Sequence, residues 1–136
     1  MLIAVDAGNT NTSIGIMDHE KVVGSFRLTT KTPRTSDEFG ICISTLLEQN
    51  GVEPEQVEGV IISSVVPKIN YALTSCMRKY LHQDPMIIGP GTKTGIKIHT
   101  DNPREVGADR IVSVTAAHTL YHADCIIVDF GTATTF

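Results

Sequence analysis

A chain of 136 residues with 41% hydrophobic and 19% charged residues is long enough for one domain with a true core. The formal net charge is −4, Trp is absent and aromatics make up 5%, so no basic or aromatic surface is offered to a nucleic acid and none is expected as a partner. No basic stretch precedes an apolar run at the amino terminus, and no run reaches the ~18 residues needed to span a bilayer, so no signal peptide and no membrane partner are expected and the localisation reads as cytoplasmic.

Residues 2–6 read as a buried strand, 13–17 as a second, and 18–21 as the turn that closes a hairpin. Val22 to Leu28 alternates loosely and makes a third strand, followed by a polar loop over 29–34. Thr35 and Glu38 stand three apart, as in a capping box, before Phe39, Cys42, Ile43, Leu46 and Leu47 at helical spacing. Asn50-Gly51 stops that helix, with Gly51 free to take positive φ. Residues 57–66 read as a strand, and Pro67 suits the first position of the helix that runs to Leu81. A short strand is predicted at 85–88. Residues 89–103 then form a long loop, with room for a short strand at Ile96-Lys97-Ile98. Residues 106–122 are helical with apolar residues on most sides, which predicts burial between layers. The last strand is 125–128. Cys42, Cys76 and Cys125 are odd in number and set in apolar surroundings, so they read as buried free thiols.

This order predicts an α/β domain, a ribonuclease H-like mixed sheet with flanking helices. Residues 1–124 are expected to be that amino-terminal domain. Residues 125–136 are expected to be the first strand of a truncated second one, because a strand starting at Cys125 has no obvious neighbours.

Two segments carry the chemistry. Asp6-Ala7-Gly8-Asn9-Thr10-Asn11-Thr12 follows the first strand, and Asp129-Phe130-Gly131-Thr132-Ala133-Thr134-Thr135 follows the last. Each is a strand that ends in an acid and turns through Gly and small hydroxyl or amide residues. Such a turn presents a carboxylate, backbone N–H groups and hydroxyls to a phosphate, with or without a metal. Two copies suggest the facing halves of a nucleotide site. Taken singly, Asp6 also fits a strand-end cap, and the threonines of the second segment also fit plain strand propensity. Asp109 in a first helical turn also fits a simple complement to the helix dipole. Arg110 reads either as a solvated helix residue or as a fork for a carboxylate. Arg104 and Glu105 read as structural or interfacial. Lys93, Lys97 and His99 read as a solvated loop, and His118 and His122 lack the acid at position 119 that a zinc-protease helix needs.

Asp6-x-Gly8-Asn9-Thr10-Asn11, Gly107-Ala108-Asp109-Arg110 and Asp129-Phe130-Gly131-Thr132-Ala133-Thr134-Thr135, in this order and across essentially the whole chain, resemble type III pantothenate kinase, of the actin, Hsp70 and sugar kinase superfamily. The resemblance implies the first domain of a duplicated actin-like ATPase fold. It implies phosphorylation of pantothenate by ATP on the way to coenzyme A, in a homodimer that uses Mg²⁺ and a monovalent cation, K⁺ or NH₄⁺. By position, Asp6, Gly8, Asn9, Thr10, Asn11 and Thr12 match the first phosphate motif, and residues 129–135 match the second. Thr132 matches an ATP contact, Asp109 the catalytic base, and Gly107, Ala108, Asp109 and Arg110 the pantothenate motif. Asp129 matches the monovalent-cation ligand. Asp6 is the candidate partner of Mg²⁺ through its water. Thr100 stands where the family often places a substrate-contacting Tyr. Members of the family are longer, so the resemblance also implies a missing second half. Two competing readings stay open: a phosphohydrolase of the same superfamily acting on polyphosphate or nucleotides, and a non-catalytic module that dimerises or binds a regulator through an unpaired strand edge.

Overall fold

In the computed structural model, which describes residues 1–136, the first strand is the axis of the sheet. Strand β1 (Leu2–Ala7) pairs antiparallel with β2 (Asn11–Asp18), and β2 with β3 (Lys21–Thr29). On its other side β1 pairs parallel with β4 (Gly59–Ser64), and β4 with the two-residue β5 (Met86–Ile87). The order β3-β2-β1-β4-β5 is the mixed, ribonuclease H-like sheet that the sequence predicts. Helices α1 (Ser36–Gln49), α2 (Pro67–Leu81) and α3 (Ala108–Tyr121) complete it. None of them is long and apolar enough to cross a membrane.

Strand periodicity sorts the two faces. Ile3, Val5, Ile14, Ile16, Val60 and Ile62 are buried on one face, against Phe39, Ile43 and Leu47 of α1 and Leu73 and Met77 of α2. Each such side chain stabilises the fold by about 1.5–3 kcal/mol through burial. The capping box forms as expected: Thr35 Oγ1 accepts from the Glu38 N–H at 3.2 Å, and Glu38 Oε2 accepts from the Thr35 N–H at 2.7 Å. Asp37 in the same turn accepts from Lys79 Nζ at 2.6 Å and from Tyr80 Oη at 2.8 Å, clipping α1 to α2. Gly40 lets the Tyr80 ring lie directly on the backbone of α1, where a Cβ would collide with it. The chain leaves α1 at Gly51, with φ at +65°.

Four expectations need correction. The strand at 96–98 does not form; Ile98 instead packs beside Ile88, Ala108 and Ile111 in a small second core. Helix α3 starts at Ala108 and is not buried between layers. It buries only Ala108 and Ile111, and leaves Leu120 and Tyr121 in solvent. The strand at 125–128 does not form: those residues join neither the five-stranded sheet nor the hairpin that follows. Pairing begins one step later, in a two-stranded hairpin of β6 (Asp129–Phe130) and β7 (Thr134–Thr135). Cys125 is accordingly exposed rather than buried and Cys42 is half-buried; only Cys76 lies fully in the core, and none of the three is in a disulfide.

Candidate active site

The opposite face of the sheet carries the polar residues. Asp6 lies at the end of β1 and shares that face with Ser13 of β2 and Ser63 of β4, its register partners. Beyond Asp6 the chain turns tightly. The Gly8 N–H donates to the Asn11 carbonyl at 3.0 Å, and a Cβ on Gly8 would come within 3.3 Å of that same oxygen. The small residue here keeps the turn closed and leaves Asn9 and Thr10 at its tip.

The two Asp–Gly turns do meet. Thr10 Oγ1 and Thr132 Oγ1 lie 2.6 Å apart in a hydrogen bond across the sequence. Between them opens a cleft of about 850 Å³ that includes Asp6, Gly8, Asn9, Thr10 and Asn11 from the first turn and Asp129, Gly131 and Thr132 from the second. Gly107, Asp109 and Arg110 close its third side from the start of α3. Asp109 Oδ1 accepts from the Arg110 N–H at 2.8 Å, which holds the carboxylate against the first turn of the helix. Gly107 is the N-cap, and a Cβ there would collide with that carboxylate.

The electrostatics are those of an acidic site. Burial pushes the Asp6 carboxyl above its ordinary value, and the facing Asp109 and Asp129 push it further. The Ser63 hydroxyl offsets part of this from the next strand without reaching full hydrogen-bond geometry, and its buried oxygen has no other partner. No three acidic, His or Cys side chains converge tightly enough to enclose a metal, so an ion here would keep most of its water.

Three of the residues singled out in the sequence lie elsewhere. Thr12 alternates onto the core face of β2, where it is fully buried and bonds to Thr30 Oγ1 at 2.8 Å. Ala108 is buried in the second core. Thr100 is outside the large cleft but lines a smaller cavity of about 260 Å³, together with Ile96, Ile98 and Ile127. Asp109, Arg110 and Asp129 line both cavities. Sequence reasoning missed Ser13, Arg27 and Glu105, which line the cleft, and Ser63, buried beside Asp6. Glu105 fits its structural reading in part, since Oε1 accepts from Asn102 Nδ2 at 2.7 Å.

A mixed sheet whose first strand ends in an acid and a glycine turn, faced by a second such turn and by an acid at a helix start, is the frame of an α/β phosphotransferase. Residues 2–136 match the type III pantothenate kinase family along their length, and the chain belongs to that family. Among solved structures, the chain is similar to a candidate N-acetylglucosamine kinase from Porphyromonas gingivalis, at 20% identity and a TM-score of 0.46, over 64% of this chain and 33% of that one. The chain thus spans about a third of that protein's length.

Proposed function

We propose that this chain supplies the catalytic base and both phosphate turns of an ATP-dependent pantothenate kinase, whose product, 4′-phosphopantothenate, leads to coenzyme A. The observation that carries the reading is the position of Asp109. It stands where a polar cleft of about 850 Å³, suited to phosphates, meets a smaller, partly apolar cavity of about 260 Å³, suited to a short organic acid. An alcohol held in the small cavity would present its hydroxyl to Asp109 with the phosphates on the far side. Asp109 then accepts the hydroxyl proton as the oxygen approaches phosphorus, a role decided by position more than by pKa. Arg110 beside it offers a planar fork to the substrate carboxylate.

Asn9, Thr10, Asn11 and Thr132 are the neutral donors of the nucleotide phosphates, and Gly8 and Gly131 let the backbone come close. Asp6 is the residue to orient the water shell of Mg²⁺, which when bound offsets the phosphate charge. Asp129 is the ligand proposed for a monovalent cation, K⁺ or NH₄⁺. A homodimer is supported by the apolar side chains that α3 leaves in solvent, Leu120 and Tyr121. Residues 125–136 are read as the opening of a second domain, and the cytoplasm as the compartment.

The test is ADP release from ATP and Mg²⁺, with and without pantothenate and K⁺, comparing wild type with Asp109→Asn. Release that requires pantothenate and disappears in the variant supports the kinase. Release without pantothenate overturns it in favour of a phosphohydrolase, and no release from folded protein leaves a binding module.

A further inference from the structure

Strand register assembles a row that the sequence hides. Arg27 of β3 is paired with Ser13 of β2, Ser13 with Asp6 of β1, and Asp6 with Ser63 of β4. Directly opposed residues of neighbouring strands project from the same face. The row therefore runs cation, hydroxyl, carboxylate, hydroxyl along one side of the sheet, the side that carries the cleft. Arg27 lines that cleft and forms none of the chain's ion pairs. Asp6, in the same row, lies two strand spacings away, about 10 Å between Cα positions. The gap over Ser13 is wide enough for a phosphate group.

The two cations of the cleft are placed differently. Arg110 lines both the small cavity and the large cleft, while Arg27 lines the large one alone. Two anionic groups must be accommodated, a substrate carboxylate and the nucleotide phosphates, and the division of the two arginines matches the division of the two spaces. An unpaired guanidinium is the side chain best shaped to grip phosphate oxygens in two parallel hydrogen bonds.

We propose that Arg27 is a nucleotide-binding residue of this site, taking the β- and γ-phosphate oxygens over Ser13 on the side of the cleft away from Arg110. The inference rests on the kinase reading above and deepens it. An arginine on an edge strand also discourages edge-to-edge pairing, but that role is indifferent to which nucleotide is offered.

The experiment is a ¹H–¹⁵N titration of the full chain with Mg·ATP, Mg·tripolyphosphate and AMP, for wild type, Arg27→Gln and Arg27→Lys. The amide spectrum reports folding of each variant in the same sample. The expected result is a Kd for ATP and tripolyphosphate raised about ten- to a hundredfold in Arg27→Gln. AMP should be unaffected, and Arg27→Lys should recover part of the loss. Equal ATP affinity in wild type and Arg27→Gln overturns the role of Arg27 and leaves the kinase reading standing. An equal loss for AMP and ATP overturns it as well, by showing a general disturbance of the cleft. No binding of ATP or tripolyphosphate to wild type overturns both.

Discussion

Gly107→Ala separates the chemistry of this site from its stability. Gly107 has φ −62° and ψ 148°, so its backbone tolerates any L-residue and the substitution introduces no torsional strain. The added Cβ would sit 3.4 Å from Val65 Cγ1, an ordinary contact, but it collides with Asp109 Oδ1. The carboxylate has to swing away, and the 2.8 Å bond it accepts from the Arg110 N–H is lost. Displacing a catalytic group by about 1 Å costs on the order of 100-fold in rate, or about 2.7 kcal/mol in the barrier. The fold itself loses little. Alanine is a poorer N-cap than glycine, but it also restricts the unfolded chain by about 0.4–1 kcal/mol in the stabilising direction. The net change should stay within about 1 kcal/mol. Pantothenate-dependent ADP release, measured beside thermal unfolding, should show kcat down about 100-fold with Tm nearly unmoved. Gly91→Ala is the control, since a Cβ there meets nothing within 4 Å. A Gly107→Ala protein that turns over at the wild-type rate would refute Asp109 as the base held in this position.

Three other outcomes follow from the same geometry. Thr35→Ala removes the acceptor that caps α1 and should lower stability by about 1 kcal/mol in urea unfolding, with no change in nucleotide binding. Asp6→Asn should raise Tm at neutral pH in EDTA. The folded state holds the Asp6 pKa above 3.8, so its ionisation opposes folding above that pKa, and the advantage of the variant should vanish as the pH falls below 3.8. A wild-type protein more stable than Asp6→Asn under those conditions would contradict the crowded-carboxylate picture. In native protein an aromatic disulfide reagent should titrate Cys125 first and leave Cys76 unmodified until unfolding, because burial pushes the Cys76 thiol up to about 12.

What the sequence made legible was local or periodic. The capping box at Thr35 and Glu38 needs only four residues to be recognised, and α2 announces itself by Pro67 and a single apolar stripe. The five-stranded sheet followed from alternation in β1 to β3 and from the strand–helix–strand rhythm after them. The misreadings were of pairing and of neighbours. Ile96 and Ile98 have strand-like chemistry but join no ladder, and Ile98 packs instead beside Ile88 and the Ala108 and Ile111 side chains of α3. Residues 125–128 are β-branched and apolar, yet they pair with no strand of the sheet. Thr12 belongs to a phosphate-like motif, but β2 begins at Asn11 and parity turns Thr12 into the core. Parity equally hid Arg27 and Ser63, which look like routine solvent-facing positions until the register aligns them with Asp6. Asp109 was ambiguous for a related reason: its helical turn was visible, but the cleft it faces is built from strands far away in the chain.

The Thr10–Thr132 bond is the one hydrogen bond that ties residues 123–136 to the rest of the molecule. The hairpin it secures pairs only two residues on each strand, and most of its side chains stand in solvent. A single hydroxyl pair contributes about 1 kcal/mol, little more than thermal energy. Amide exchange at Gly131 and Thr134 should therefore report an opening far less costly than global unfolding. Under the proposed kinase reading, the second Asp–Gly turn is then in place only for part of the time, and the apparent affinity for nucleotide would be the intrinsic affinity multiplied by that fraction. Anything that holds the hairpin down, a ligand spanning both turns or a partner covering Phe130, would sharpen binding without touching a single phosphate contact.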